Sequence, residues 1–210
     1  MTAAPCFDKL ASDTRWHAFT PEETRMVRGF ARRWKIRRGD RVLEPGCGAG
    51  RLTEVLARLT GPTGWVVAFD SSRKFLRVAK KRGQPAQVSL HLARAQTFPL
   101  PSASFDHIMC FNVFPHLMPQ AAVTKRLVAA LKPGGIFWIA HTCSRKFVNG
   151  VHRGGPPSIR DHLLPAAGRL TRLLRSAGLA EIEIEDAPGH FLARAVRPVH
   201  PSAQPVYRHA

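Results

Sequence analysis

Residues able to hold a charged, nucleoside-bearing ligand crowd one short stretch of this chain. Glu44 is followed by Gly46, Gly48 and Gly50 in Glu44-Pro45-Gly46-Cys47-Gly48-Ala49-Gly50, and a second apolar run, 64–70, closes on Asp70. Glycine lets backbone approach a ligand closely and adopt turns that a Cβ forbids. A helix opening behind such a loop points unpaired N–H groups at the bound group. A carboxylate ending the second strand is placed to accept from two vicinal ribose hydroxyls. The arrangement describes a nucleoside-containing cofactor lying across the carboxyl ends of two neighbouring parallel strands.

Glycine spacing narrows the ligand. A dinucleotide loop reads G-x-G-x-x-G and presses backbone against a pyrophosphate. Here the run is G-x-G-x-G with Glu44 two residues ahead of it. An acid repels a pyrophosphate and attracts an ammonium, so the residues point to S-adenosylmethionine, which carries an amino-acid end and no phosphate. The alternative is a glycine-rich turn of some other α/β enzyme. On these residues the chain resembles the class I S-adenosylmethionine-dependent methyltransferases, whose E/D-x-G-x-G-x-G loop it carries. The resemblance assigns cofactor-binding positions to Glu44, Gly46, Cys47, Gly48, Gly50, Asp70 and Ser71, with Asp70 on the ribose.

Related enzymes read roughly G-D-A-E before a Pro-x-Pro segment, and that acid reaches the adenine amino group. This chain has Ala93-Arg94-Ala95-Gln96-Thr97-Phe98-Pro99-Leu100-Pro101. Arg94 cannot accept from an exocyclic amine, so adenine binding falls to backbone near Ala95 and Gln96; Arg94 stacks on the ring or, the preferred reading, points to solvent. The stretch Phe105-Asp106-His107-Ile108 through His116 resembles the family's F-D-x-[IV] segment, which borders the methyl group and places Asn112 and Val113 against the cofactor. His116 is read as a catalytic candidate or as a cap and packing residue. His141 ends the fifth strand at the same edge and is the second catalytic candidate. Ser144-Arg145, Asn149 and His152-Arg153 resemble an S-R-x-x-x-N-x-x-H-R stretch of a UbiE-like group. That makes His152 and Arg153 substrate-contact candidates on a segment, 144–162, expected over the mouth of the site. Cys110 reads as buried core. No N/D-P-P-Y/F run of a nucleic-acid amino-methyltransferase occurs at this position.

Positioning these residues requires alternating strands and helices. Thr20-Pro21-Glu22-Glu23 starts a helix running to about 34. Strands are expected at 41–44, 66–69, 88–92, 105–111, 136–140, 181–185 and 190–196, with helices after Gly50, Ser72, Pro119 and Pro165. Lys132-Pro133-Gly134-Gly135 reads as a turn. Such alternation predicts an α/β fold with a doubly wound, mostly parallel sheet. The last two strands lack an intervening helix and should pair antiparallel. The resemblance implies the same: seven strands in a Rossmann-like methyltransferase fold, the last antiparallel. The division expected is an N-terminal segment 1–20, a domain 21–196, and a mobile Pro-rich tail 197–210.

The 210 residues suit one core. No apolar run is long enough to span a bilayer, and four scattered cysteines suggest neither disulfides nor a zinc site. A reduced, cytoplasmic setting and no metal are expected. The formal net charge of +18 raises affinity for polyanions, yet the basic runs carry few aromatics for base stacking. Three functions follow: methyl transfer from S-adenosylmethionine to a small-molecule acceptor by direct displacement, an RNA methyltransferase, or a cofactor-binding protein that has lost catalysis.

Overall fold

The computed structural model describes residues 4–199. Helices are α1 (Ala4–Leu10), α2 (Pro21–Trp34), α3 (Arg51–Thr60), α4 (Arg73–Lys81), α5 (Gln120–Ala130), α6 (Arg145–Arg153) and α7 (Ala167–Ser176). Strands are β1 (Arg41–Pro45), β2 (Trp65–Asp70), β3 (Val88–Leu92), β4 (Phe105–Phe111), β5 (Leu131–His141), β6 (Ala180–Ala187) and β7 (His190–Val196). They form one seven-stranded sheet in the order β3-β2-β1-β4-β5-β7-β6. β1 to β5 pair in parallel, while β7 runs antiparallel to both β5 and β6. The carboxyl ends of the five parallel strands therefore share one edge, and strand order reverses beside β1, where such sheets leave a crevice.

Local chemistry starts the helices. The Thr20 hydroxyl accepts from the Glu23 N–H at 3.1 Å, and the Glu23 carboxylate accepts from the Thr20 N–H at 2.9 Å. This reciprocal box satisfies two orphan donors ahead of α2. Ser72 caps α4 through the Phe75 N–H, and Ser144 caps α6 through the Phe147 N–H. Period-two alternation then sorts the strand side chains. Val42, Val66, Met109 and Trp138 pack under α2 and α3 against Val27, Phe30, Trp34, Leu52 and Leu56. Leu43, Phe69, Ile108 and Phe137 face α5 and α7 through Leu127, Leu170 and Leu174. Each fully buried Leu or Phe contributes about 1.5–3 kcal/mol, so the site sits on a stiff base.

One expectation is corrected. β5 begins at Leu131, five residues before the expected start, because Lys132-Pro133-Gly134-Gly135 is taken into the strand as an irregularity. Arg197 supplies the missing ladder: its carbonyl accepts from Gly134 N–H at 2.7 Å and its N–H donates to Gly135 at 2.9 Å. Its guanidinium also donates to the carbonyls of Val128, Ala129 and Leu131. Arg197, the first residue of the expected tail, is thus bonded to the sheet; the part of that tail from 200 onward lies outside the described residues. α1, the turn Phe114–His116 and α6 had no counterpart among the expected helices.

Candidate functional site

The glycine loop leaves β1 at Pro45 and enters α3 at Arg51. Gly46 and Cys47 both donate to the Phe69 carbonyl, at 2.7 and 3.1 Å, which ties the loop to β2. Gly46 has φ +71°, and a Cβ there would lie 2.2 Å from Val113 Cγ2. Only glycine fits that position, both for its backbone and for the approach of Val113. Gly50 stands in the left-handed region at the start of α3 with no side-chain cap, so the first N–H groups of the helix are left to water or a ligand.

Two carboxyls flank this loop, and both are buried. Glu44 accepts from the Thr53 hydroxyl at 2.6 Å. Burial, with Asp70 nearby, pushes the Glu44 carboxyl up to about 8 against the favourable Thr53 bond. Glu44 is therefore largely neutral at pH 7 in the free protein, and a cation beside it would favour its ionised form. Asp70 accepts from the Gly48 N–H and the Ser72 N–H, each at 2.8 Å. Burial raises its pKa while these backbone bonds and one from Ser71 lower it, and Asp8 of α1 raises it again. Asp8 accepts from the Ser72 hydroxyl at 2.5 Å, so α1 closes over the end of β2. Arg82 ties the far side of the loop, donating to the Ala49 carbonyl at 2.7 Å and to Glu54 at 2.5 Å.

The segment after β3 supplies buried Ala95 and an exposed Gln96, whose amide donates to the Met118 carbonyl at 2.5 Å. Arg94 is exposed and makes no side-chain hydrogen bond to a described residue. After β4, Asn112 takes φ +51°. Its amide bridges to the residue that follows β5, accepting from the Thr142 N–H at 3.0 Å and donating to the Thr142 hydroxyl at 3.2 Å. Asn112 thus shapes the edge through its neighbours, while Val113 abuts Gly46 directly. Asp106 of the F-D pair ties the opposite end of the sheet, through the Arg41 N–H and Lys132.

Histidines form the other half of the edge. His116 packs edge-on to Phe7 of α1, with ring centroids 4.8 Å apart, and lies 4.7 Å from the His152 ring. Its Nδ1 is 3.1 Å from Nδ1 of His162. Burial, and then His152, His162 and His141 in turn, drive the His116 pKa down to about 3. His141 is buried, its Nε2 has no partner among the described residues, and burial takes its pKa to about 3 as well. Arg153 lies at the exposed end of α6, away from this cluster's buried face. His162, Phe7 and Asp8 were missed in the sequence; each is single, distant in the chain and without a spacing rule. Among the described residues no cluster of three or more His, Cys, Asp or Glu is arranged to hold a metal ion.

A family model described as a methyltransferase domain matches residues 42–135. "Methyltransferase GfsG" of Streptomyces halstedii is 29% identical over 191 residues, covering 87% of this chain and 66% of the relative. "Ubiquinone/menaquinone biosynthesis C-methyltransferase UbiE" of Pseudomonas aeruginosa is 32% identical over 122 residues, 52% of this chain and 48% of the relative. The chain thus spans about half to two thirds of the length of these curated relatives. A structure of the Haloferax volcanii Trm112 methyltransferase activator with a putative methyltransferase superposes with TM-score 0.72 at 20% identity, covering 91% of this chain and 97% of that one. That likeness carries the fold alone.

Proposed function

Since the chain belongs to the class I S-adenosylmethionine-dependent methyltransferases, we propose that it methylates a small-molecule acceptor by direct displacement. The observation that supports this reading most is the pairing, on one sheet edge, of a buried ammonium receptor with a covered histidine cluster. The donor set suits the cofactor. Glu44 is a buried carboxyl with a single side-chain hydrogen bond, and an ammonium beside it would offset the burial that raises its pKa. Asp70 accepts from backbone N–H groups and, as a carboxylate, has further lone pairs, and a Cβ at Gly48 would meet nothing within 4 Å, so the loop is open there.

When bound, S-adenosylmethionine supplies an activated methyl group with its own leaving group. The chain's task is then alignment and proton handling. Glu44 holds the amino-acid end, Asp70 with Ser71 the ribose, and the segment at Ala95 and Gln96 the base. Asn112 and Val113 set the floor beside the methyl group. His116 takes the acceptor's proton; burial lowers its pKa to about 3, so the imidazole is neutral at pH 7 but weakly basic and must hand a proton on as it accepts one. His141 and His152 line the acceptor side, with α1 and the segment around α6 keeping water out. A site covered in this way favours a small acceptor.

Calorimetric titration with S-adenosylmethionine and S-adenosylhomocysteine, beside Asp70→Ala, tests the cofactor assignment. Micromolar binding lost in the variant is expected; no binding to folded wild-type protein overturns it. Acceptor panels follow on the loaded protein.

One observation favours a second reading, RNA as acceptor. A cleft of about 710 Å³ between α2 and α3 is lined by Arg28, Arg32, Arg51, Arg58 and Arg82. Arg51 and Arg82 are engaged by Glu23 and Glu54, while Arg28, Arg32 and Arg58 are exposed. Steeply salt-dependent binding of an RNA oligonucleotide, together with methyl transfer to it, would favour that reading; binding without transfer would leave the small acceptor in place.

A further inference from the structure

Three histidines from three separate segments meet above the carboxyl edge, and the proposed reaction uses one of them as a base. His116 closes the turn after β4, His152 lies on α6, and His162 belongs to the loop between α6 and α7. His116 Nδ1 and His162 Nδ1 are 3.1 Å apart. Two imidazole nitrogens at that distance share one proton, so one ring donates and the other accepts.

The surroundings hold the accepting ring in place. His152 Nδ1 bonds the main-chain carbonyl of His162; a carbonyl only accepts, so His152 carries its proton on Nδ1. Two residues on, the Asn149 side chain donates to the Leu164 carbonyl at 3.0 Å and accepts from the Leu164 N–H at 2.8 Å. α6 thus turns two polar side chains inward, Asn149 and His152, and leaves Phe147 and Val151 exposed. That inversion costs apolar burial, and what it secures is the backbone from the His162 carbonyl to Leu164.

We propose that His162 is a positioning residue for His116: it accepts the Nδ1 proton, keeps Nε2 of His116 bare, and passes the acceptor's proton to solvent. The proposal rests on the reading of His116 as the base. The direction of the shared bond follows from that role. His116 Nε2 makes no hydrogen bond to a described residue, and Nε2 serves as a base only if the ring's own proton sits on Nδ1. A neutral histidine in water favours the opposite tautomer, so an unassisted His116 would carry its proton on the wrong nitrogen.

Protons balance through the pair. For a hydroxyl acceptor, the O–H bond breaks as its oxygen takes the methyl group, and the proton joins His116 Nε2. The Nδ1 proton of His116 moves to Nδ1 of His162, and the Nε2 proton of His162 leaves to water. Both rings end neutral, with the shared proton on His162, and the reverse exchange with water after product leaves restores the starting tautomers. The surroundings of the pair suit a relay without a lasting cation: His152 from α6 and His141 from β5 disfavour one on His116, Phe7 from α1 adds no charge, and on His162 burial and His152 outweigh the opposing Asp161.

Long-range proton–nitrogen NMR on ¹⁵N-histidine protein saturated with S-adenosylhomocysteine tests this without an acceptor, with a His116→Gln sample assigning the ring. The expected result is His116 as the Nδ1–H tautomer at neutral pH. His162→Ala should convert it to Nε2–H, whereas His162→Asn, whose amide oxygen can accept, should keep it on Nδ1. Nε2–H in the wild type overturns the proposal, as does an Nδ1–H tautomer unmoved in folded His162→Ala. Once an acceptor is known, His162→Ala should lower kcat about tenfold or more with the cofactor KM unchanged. Full turnover in His116→Ala would instead remove the base reading while leaving the tautomer result standing.

Discussion

The two halves of the site are built in opposite ways. Around β1 and β2 the working groups are backbone: the Gly46 and Cys47 N–H groups on the Phe69 carbonyl, the Gly48 N–H on Asp70, and the open start of α3. Around β4 and β5 they are side chains drawn from the Phe114–His116 turn, helix and loop, with His116, His152 and His162 spread over 46 residues of chain. Backbone geometry is set by glycines a few residues apart and holds whatever surrounds it. A side-chain cluster depends on each neighbour. The first half should therefore fail through its conformation, and the second through its chemistry.

The largest effect expected on that distinction is His116→Ala. It should lower turnover by about 10²–10⁴-fold, the usual contribution of a positioned base, while S-adenosylhomocysteine affinity by calorimetry stays within about threefold of wild type. Equal losses of both would show that the halves are not separable. Next comes Gly46→Ala, the point where they touch. Its Cβ would meet Val113 Cγ2 at 2.2 Å from a backbone at φ +71°, so strain and overpacking together should cost about 2–4 kcal/mol in urea unfolding. Adding Val113→Ala should return the packing part only. Full recovery would mean that the backbone there tolerates a side chain, against the conformational account.

The contrast also explains what could be read from the sequence. Glu44 to Gly50 and Asp70 form a pattern because their spacing is itself the structure, and β3, β4 and β7 fall where period and composition put them. His162 and Phe7 carry no such signal, because what recruits them is the return of the chain onto His116. Lys132–Gly135 misleads for a related reason: Pro and Gly there signal a turn, but Arg197, far along the chain, completes the ladder that makes them strand. The helix α6 hides its face because Asn149 and His152 are inside and Phe147 and Val151 outside, the reverse of the pattern that hydrophobic periodicity detects.

A smaller effect sharpens the backbone half through Glu44, one of its two buried acids. The Glu44 pKa in the folded protein is raised to about 8, so its neutral form stabilises the free protein below the unfolded carboxylate pKa, and that contribution is lost as pH rises through about 8. An ammonium ligand reverses the preference and expels the proton. Cofactor affinity should then climb up to about tenfold per pH unit below about 8 and flatten above it. Calorimetry in buffers of different ionisation enthalpy should record close to one proton released at neutral pH. Glu44→Gln should bind more weakly, by about 10–100-fold at pH 8, and show no such slope. A flat profile in the wild type would place the ammonium elsewhere.

The smallest effect expected is at Arg94, where the family resemblance calls for an acid on the adenine amine. The guanidinium has only donors, is exposed, and bonds no described residue through its side chain. If base recognition here rests on backbone at Ala95 and Gln96, Arg94→Ala should change S-adenosylhomocysteine affinity by less than about threefold, as for an ordinary surface substitution. Arg94→Asp restores an acceptor and should tighten binding of the adenine-bearing ligand by up to about tenfold, with no matching gain for a purine analogue lacking the amine. A large loss in Arg94→Ala would mean that the guanidinium stacks on the base. The nucleoside end would then also be held by a lone side chain, and the division into a backbone half and a side-chain half would have to be redrawn along the ligand rather than across the sheet.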